Sequence, residues 1–174
     1  MHSKNDILAS NKNLASASIN NKSAIFVGPA DSLEGQGQGA IIDKYDFVIR
    51  TNGGFKLADK YPEDYGSKCD ILYINNFWFR KHVAGCSKSK QTQYLKRLLR
   101  GDIKFIILKA PGARKLPDWM VRLEAPKFFI GGRIPMHAKL RQVWKVDEKL
   151  TEPLQTTHAI YNMLQFKAKN IAIT

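Results

Sequence analysis

Apolar runs of three or four residues recur along the chain, and two of them stop abruptly at polar, glycine-bearing loops. Ala24 to Val27 runs into Gly28-Pro29, and Phe47 to Ile49 runs into Arg50-Thr51-Asn52-Gly53-Gly54. Runs this short, bounded by turn residues, predict buried strands. The pattern along the whole chain predicts a strand at 24–27, a helix near 33–42, strands at 46–50 and 70–74, and a helix over about 90–100. A strand at 103–108, an irregular basic segment, a helix at 156–166 and a strand at 170–173 complete it. Strands alternating with helices imply an α/β fold, a mostly parallel sheet with flanking helices.

In such sheets the carboxyl ends of the strands line a crevice where ligands sit, and glycines let backbone N–H groups approach a phosphate unobstructed. Gly28 and the loop after Ile49 stand at two such ends, and Asp31 and Ser32 are suitable helix N-caps. The same loops could do no more than reverse the chain, and spacing leaves both readings open. The glycines at 35, 37 and 39 lie too far beyond the first strand for a dinucleotide fingerprint, and no strand is followed by a phosphate loop with a Gly-Lys-Ser/Thr run.

Val27, Gly28, Leu33, Gly35, Gly39, Ile42, Asp43, Asp46, Phe47, Val48, Arg50 and Asn52 follow a longer pattern: apolar strand, glycine turn, leucine, spaced glycines, Ile-Asp, then Asp-Phe-Val-hydrophobic-Arg-x-Asn. In this the chain resembles sialyltransferases, the animal-type family 29 and the bacterial family 42. The match continues into Gly66-Ser67-Lys68 and into Leu72-Tyr73-Ile74-Asn75, similar to a family-42 strand ending in a donor-contacting asparagine. Thr156-Thr157-His158, with the helical run that follows and the strand at 171–173, resembles the small sialyl motif, whose Ser/Thr-Thr/Ser-Gly turn opens a helix against the donor.

The resemblance implies a Rossmann-like, sialyltransferase-type fold, a GT-A variant. The activity implied is inverting transfer of a 2-keto sugar acid, sialic acid or a Kdo-like sugar, from its CMP conjugate to a hydroxyl of a glycan or glycolipid. The CMP-sugar is then a substrate, no cofactor is needed, and the lack of an Asp-x-Asp motif makes metal independence the expectation. Gly28, Ser32, Asn52, Asn75, Thr156 and Thr157 are the donor-binding residues implied. An asparagine amide suits the role because it offers both donor and acceptor. Asn52 is equally a natural turn residue before Gly53-Gly54, and Asn75 a natural strand-end cap. Arg50 is expected to tie its loop to Asp43 or Asp46.

Departures from the family pattern bear on each of these roles. Pro29 stands where the family has asparagine, and His158 where the small motif has glycine. Ala24 and Ala168 occupy the positions that animal members join by a disulfide. The family's catalytic histidine lies beyond the small motif, and the chain stops at Thr174. A C-terminally truncated chain, a donor-binding remnant and an enzyme with a relocated base all stay open. His137 and His158 are the internal candidates for the base, because the attacking hydroxyl must lose its proton.

Charge is segregated. Residues 80–145 hold seventeen Lys/Arg against Asp102, Asp118 and Glu124, a net +14, whereas the whole chain carries +13. An anionic acceptor follows, and peripheral contact with an anionic membrane fits the same electrostatics. Trp78, Trp119, Trp144 and Phe128-Phe129 interleave with this segment, as in nucleic-acid binders, but no nucleic-acid module is recognisable and nucleic acid is disfavoured. A non-catalytic protein that binds a nucleotide or anionic glycan through the basic segment is the alternative function. Cys69 and Cys86 lack metal spacing and read as small buried thiols. No run approaches the roughly 18 apolar residues of a membrane span, and a cytoplasmic location is the expectation. Residues 1–22, rich in Asn, Ser and Lys, read as a flexible lead-in, disordered or weakly helical, and 23–174 as one nucleotide-sugar-binding domain.

Overall fold

The apolar runs become strands, those at the centre of the sheet buried on both faces and the edge strand at 170–173 partly exposed. The computed structural model describes residues 3–84, 92–108, 116–131 and 155–174. Within them lie strands Ser23–Phe26 (β1), Phe47–Thr51 (β2), Ile71–Ile74 (β3), Phe105–Leu108 (β4), Lys127–Ile130 (β5) and Asn170–Ile173 (β6). They form one six-stranded sheet in the order β5-β4-β3-β2-β1-β6, and every pair is parallel. The helices are Lys4–Ile19 (α1), Gly39–Ile42 (α2), Phe55–Lys60 (α3), Pro62–Tyr65 (α4), Asn76–His82 (α5), Gln93–Leu98 (α6), Asp118–Val121 (α7) and Gln155–Gln165 (α8).

Side chains alternate across the sheet with period two. Leu72, Ile74, Ile106, Leu108 and Phe128 face a core completed by Phe79 of α5 and Val83 just beyond it, Leu95 and Leu98 of α6, and Met120 and Val121 of α7. Ile71, Tyr73, Phe105, Ile107 and Phe129 face the opposite way, against Ala15 and Ile19 of α1 and Ala159, Met163 and Phe166 around α8. Ala24 belongs to this second cluster, and partly buried Ala168 packs against it. None of the helices among the described residues is long and apolar enough to cross a membrane.

The N-terminal lead-in is more ordered than its composition predicts. Ser3 and Asp6 form a reciprocal capping box, with the Asp6 N–H donating to Ser3 Oγ at 3.2 Å and the Ser3 N–H to Asp6 Oδ2 at 3.0 Å. Leu8, Asn11, Ala15 and Ile19 are buried, and the Asn11 amide donates to the Phe128 carbonyl at 3.0 Å, occupying an acceptor on the outer strand β5. The helical period is present, but small and polar residues fill much of it. Its apolar signal is therefore weak.

Two further expectations change. The helix expected near 33–42 is a single 3-10 turn at Asp31–Leu33 followed, after a loop, by the four residues of α2. Gly35 and Gly37 have φ of +73° and +63°, which interrupts any helix between them. Neither Asp31 nor Ser32 caps that turn, whose N-cap is Ala30 with no side-chain bond. The segment expected to be irregular contains regular structure too, α7 and β5.

Candidate functional site

Parallel strands place their carboxyl ends on one edge, and β1, β2 and β3 are neighbours there. Gly28 lies just beyond β1, half-buried, and a Cβ at that position would stand 3.4 Å from the Thr174 carbonyl oxygen beyond β6. Asn52 closes β2 in the left-handed region, φ +48°, which asparagine tolerates better than most residues. Its N–H donates to the Tyr73 carbonyl at 2.7 Å and its carbonyl accepts from the Tyr94 hydroxyl at 3.0 Å. Its Oδ1 accepts the Asn75 N–H at 3.1 Å. Asn75 in turn caps α5, its Oδ1 accepting the Trp78 N–H at 2.9 Å. Side-chain amides thus link the ends of β2, β3 and α5.

The first turn of α8 carries Thr156, Thr157 and His158. The far end of α8 lies at the opposite edge, where the Asn21 N–H donates to the Lys167 carbonyl and the Lys169 N–H to the Lys22 carbonyl just before β1. Its first turn therefore lies toward the edge that holds Gly28, Asn52 and Asn75. Buried Asn162 donates to the His158 carbonyl at 2.8 Å and lies beside Gly131 at the end of β5. Gly28, Asn52 and Asn75 are therefore brought together, with Thr156, Thr157 and His158 at the same edge. Ser32 is exposed on the loop that leaves β1. His137 lies outside the described residues.

Other residues of the motif have structural duties. The Gly35 and Gly37 N–H groups donate to Asp64 at 2.8 and 2.9 Å, so a carboxylate of the chain itself occupies these donors. Those two bonds hold the Asp64 carboxyl below its ordinary range. Arg50 is buried and ties its loop as expected, but to carbonyls instead of Asp43 or Asp46. It donates to the carbonyls of Lys68 at 2.8 Å, Tyr65 at 2.6 Å and Gly66 at 3.1 Å. Burial pulls the Arg50 guanidinium below its ordinary value.

Asp43 binds the Ser67 N–H at 2.8 Å, the Ser67 hydroxyl at 2.7 Å and the Lys68 N–H at 3.1 Å. Burial opposes ionisation there, and these bonds outweigh it. Asp46 binds the N–H and hydroxyl of Ser23, each at 2.8 Å. A Cβ at Gly39 would come within 2.0 Å of the Pro62 carbonyl oxygen, and one at Gly66 within 2.6 Å of Asp43 Oδ1.

Beside the asparagines stands an aromatic cluster that no motif marked. Trp78 lies 5.0 Å from His82 and 5.1 Å from Tyr94, His82 stacks on Tyr94 at 4.6 Å, and Phe55 lies 5.4 Å from Tyr94. Burial, then Lys81 and Lys56, holds the His82 imidazole below its ordinary value. Tyr94 reaches the site from a helix distant in sequence, so only the fold reveals it. Cys69 is a buried thiol pushed up to about 12 by burial. Among the described residues no group of three His, Cys, Asp or Glu side chains is placed to hold a metal.

No curated protein matches the chain. Among solved structures, the crystal structure of a mammalian sialyltransferase in complex with Gal-beta-1-3GalNAc-ortho-nitrophenol is similar, at 17% identity and a TM-score of 0.41. The similarity covers 74% of this chain and 47% of that one, so the chain spans about half the length of that protein. The family model for glycosyltransferase family 29 (sialyltransferase) matches residues 5–110, which include Gly28, Ser32, Asn52 and Asn75 and leave out the candidates at 137 and 156–158. That match takes in more than half of the 174 residues and runs from α1 through β4, and the chain belongs to glycosyltransferase family 29, the sialyltransferases.

Proposed function

We propose that this chain forms the donor side of a sialyltransferase-like enzyme, which binds a CMP-sugar at the carboxyl edge of its sheet. A 2-keto sugar acid is passed from it, with inversion and without a metal, to a hydroxyl of an anionic glycan or glycolipid. One observation carries the reading: in a family-29 chain, three adjacent strand ends present Gly28, Asn52 and Asn75 at the edge where α8 begins.

In this reading Gly28 leaves room for the nucleotide, Asn52 and Asn75 face its ribose or phosphate, and Thr156 and Thr157 hold it from the other side, with Ser32 on the loop above. A departing nucleoside monophosphate carries less charge than a diphosphate, and hydrogen-bond donors at the crevice suffice to stabilise it. His158 sits at the right edge to serve as base, and His137 is the second candidate.

The test must separate ligand contact from support. Asn75→Ser keeps an N-cap oxygen and removes the amide, and Asn52→Gly keeps access to positive φ and removes the side chain. Calorimetry with CMP, and with UDP and GDP for comparison, is expected to show CMP-selective binding that falls at least about tenfold, 1.4 kcal/mol, in each folded variant. A folded chain that binds no CMP overturns the reading and favours the non-catalytic binding module. Turnover that survives His137→Ala with His158→Ala excludes both histidines as the base.

A further inference from the structure

Helix α5 starts at the candidate crevice and turns an unusual face to solvent. Phe77, Arg80 and Lys81, spaced i, i+3 and i+4, share one side of the helix, while Phe79 and Val83 are buried on the other. Phe77 is 66% exposed, the most exposed large hydrophobic side chain among the described residues. Nothing in the packing of α5 requires an aromatic ring there.

Cations stand close to this exposed ring. Arg97 and Arg100 pair with Asp59 and Asp102, Lys104 with Asp70, and Lys4 with Asp118, whereas other exposed cations, Lys44 and Lys60 among them, have no ion pair among the described residues. Arg80, Lys81 and Lys56 are exposed, and among the described residues none has a carboxylate within ion-pair distance. The first turn of α5 contains no acid. Lys81 Nζ lies 5.8 Å from the Phe77 ring, and Lys56 Nζ lies 5.8 Å from the half-buried Trp78 ring. Two aromatic rings and three cations without carboxylate partners therefore share one surface.

We propose that this surface, the outer face of α5 with Lys56 of α3, docks on an anionic lipid bilayer. A soluble polyanion would satisfy the cations and leave Phe77 in water. A bilayer interface takes both, placing the ring at the boundary with the acyl chains and the cations among phosphate and carboxylate headgroups. Because Asn75 caps α5, docking brings the crevice to the lipid surface, where a lipid-linked acceptor hydroxyl would be presented. That purpose rests on the transferase reading. The docking itself does not.

The experiment is flotation of the full chain with vesicles of phosphatidylcholine alone and of phosphatidylcholine mixed with phosphatidylglycerol, each repeated with CMP titration on the same preparation. Binding is expected only to the mixed vesicles and is expected to weaken with salt. Neutralising Lys81 as Lys81→Gln is expected to lower it about fivefold, and Arg80→Gln by a similar factor. Phe77→Ser is expected to lower it about tenfold. All three positions are exposed, so melting temperature and CMP affinity stay unchanged.

Equal flotation with neutral vesicles overturns the proposal. So does binding left intact when Phe77→Ser, Arg80→Gln and Lys81→Gln are combined in one chain, which would assign it to another part of the basic segment, or binding that heparin displaces and Phe77→Ser leaves unaltered, which would mark a polyanion site. Loss of CMP binding alongside α5-dependent flotation would remove the donor reading and leave the docking face.

Discussion

Arg50 decides whether the most tempting charge in the motif serves the ligand or the fold. Its guanidinium spans three carbonyls, of which those of Tyr65 and Gly66 belong to buried residues and that of Lys68 to an exposed one. Removing the side chain lets water reach the Lys68 carbonyl and orphans the other two. At roughly 2 kcal/mol for each buried unsatisfied acceptor, Arg50→Met is expected to destabilise the chain by about 4 kcal/mol, some of it offset by no longer burying a charge. That is a large fraction of the total for a domain whose stability is of order 5–15 kcal/mol.

Arg50→Lys is expected to recover less than half, because an ammonium cannot reproduce the planar fork that meets several carbonyls at once. Urea unfolding followed by tryptophan fluorescence measures both. With a slope of about 2 kcal/mol per molar, the Arg50→Met midpoint falls by about 2 M. If either variant unfolds at the wild-type midpoint while its CMP affinity collapses, Arg50 is a phosphate contact and the reasoning is refuted.

Four other outcomes follow from the same structure. Gly39→Ala places a methyl against the backbone oxygens of Pro62 and Glu63, which no rotamer can relieve, and is expected to cost about 3 kcal/mol, seen as a melting temperature lower by about 10 °C. Asn75→Ala loses the α5 cap and is expected to cost about 1 kcal/mol, with Asn75→Ser close to wild type, in parallel urea titrations. His82 has a folded pKa below its unfolded value of 6.5, so the unfolded state takes up a proton first. Stability is expected to fall as pH drops below about 6.5, and His82→Phe to flatten that part of the profile. Asp43 and Asp64 have depressed folded pKa values, so their contribution is complete above the unfolded value of 3.8 and is lost as pH falls through the folded one. Asp64→Asn is expected to make the acid limb of the stability profile shallower.

The sheet was legible because its strands are short, unbroken apolar runs, and β1, β2, β3, β4 and β6 fall within two residues of where those runs predict them. α1 was legible only as a disordered or weakly helical lead-in because small and polar residues occupy its buried positions, and β5 was missed because Phe128-Phe129 lies inside a segment dominated by charge. Gly28, Asn52 and Asn75 were legible as strand-end residues. Their mutual bonding was not, since Asn52 reaches Asn75 across 23 positions through sheet register alone. The partner of the Gly35 and Gly37 N–H groups, Asp64, was equally hidden: a carboxylate 27 to 29 residues away leaves no local pattern. Arg50 was read correctly as a tie and given the wrong partners, because backbone carbonyls are invisible to residue-type reasoning.

The interlock of Gly39 against Pro62, Gly66 against Asp43, and Arg50 across the 65–68 turn bears on what a sialyl signature signifies in any chain that carries it. These positions admit no larger or differently charged residue because neighbouring backbone and carboxylate atoms stand where it would go. Selection for foldability alone would keep them, whether or not a sugar is ever transferred. The letters by which this chain is recognised are thus largely a record of how the loops around α2 and α4 are locked, and a relative that had lost its chemistry would spell them the same way.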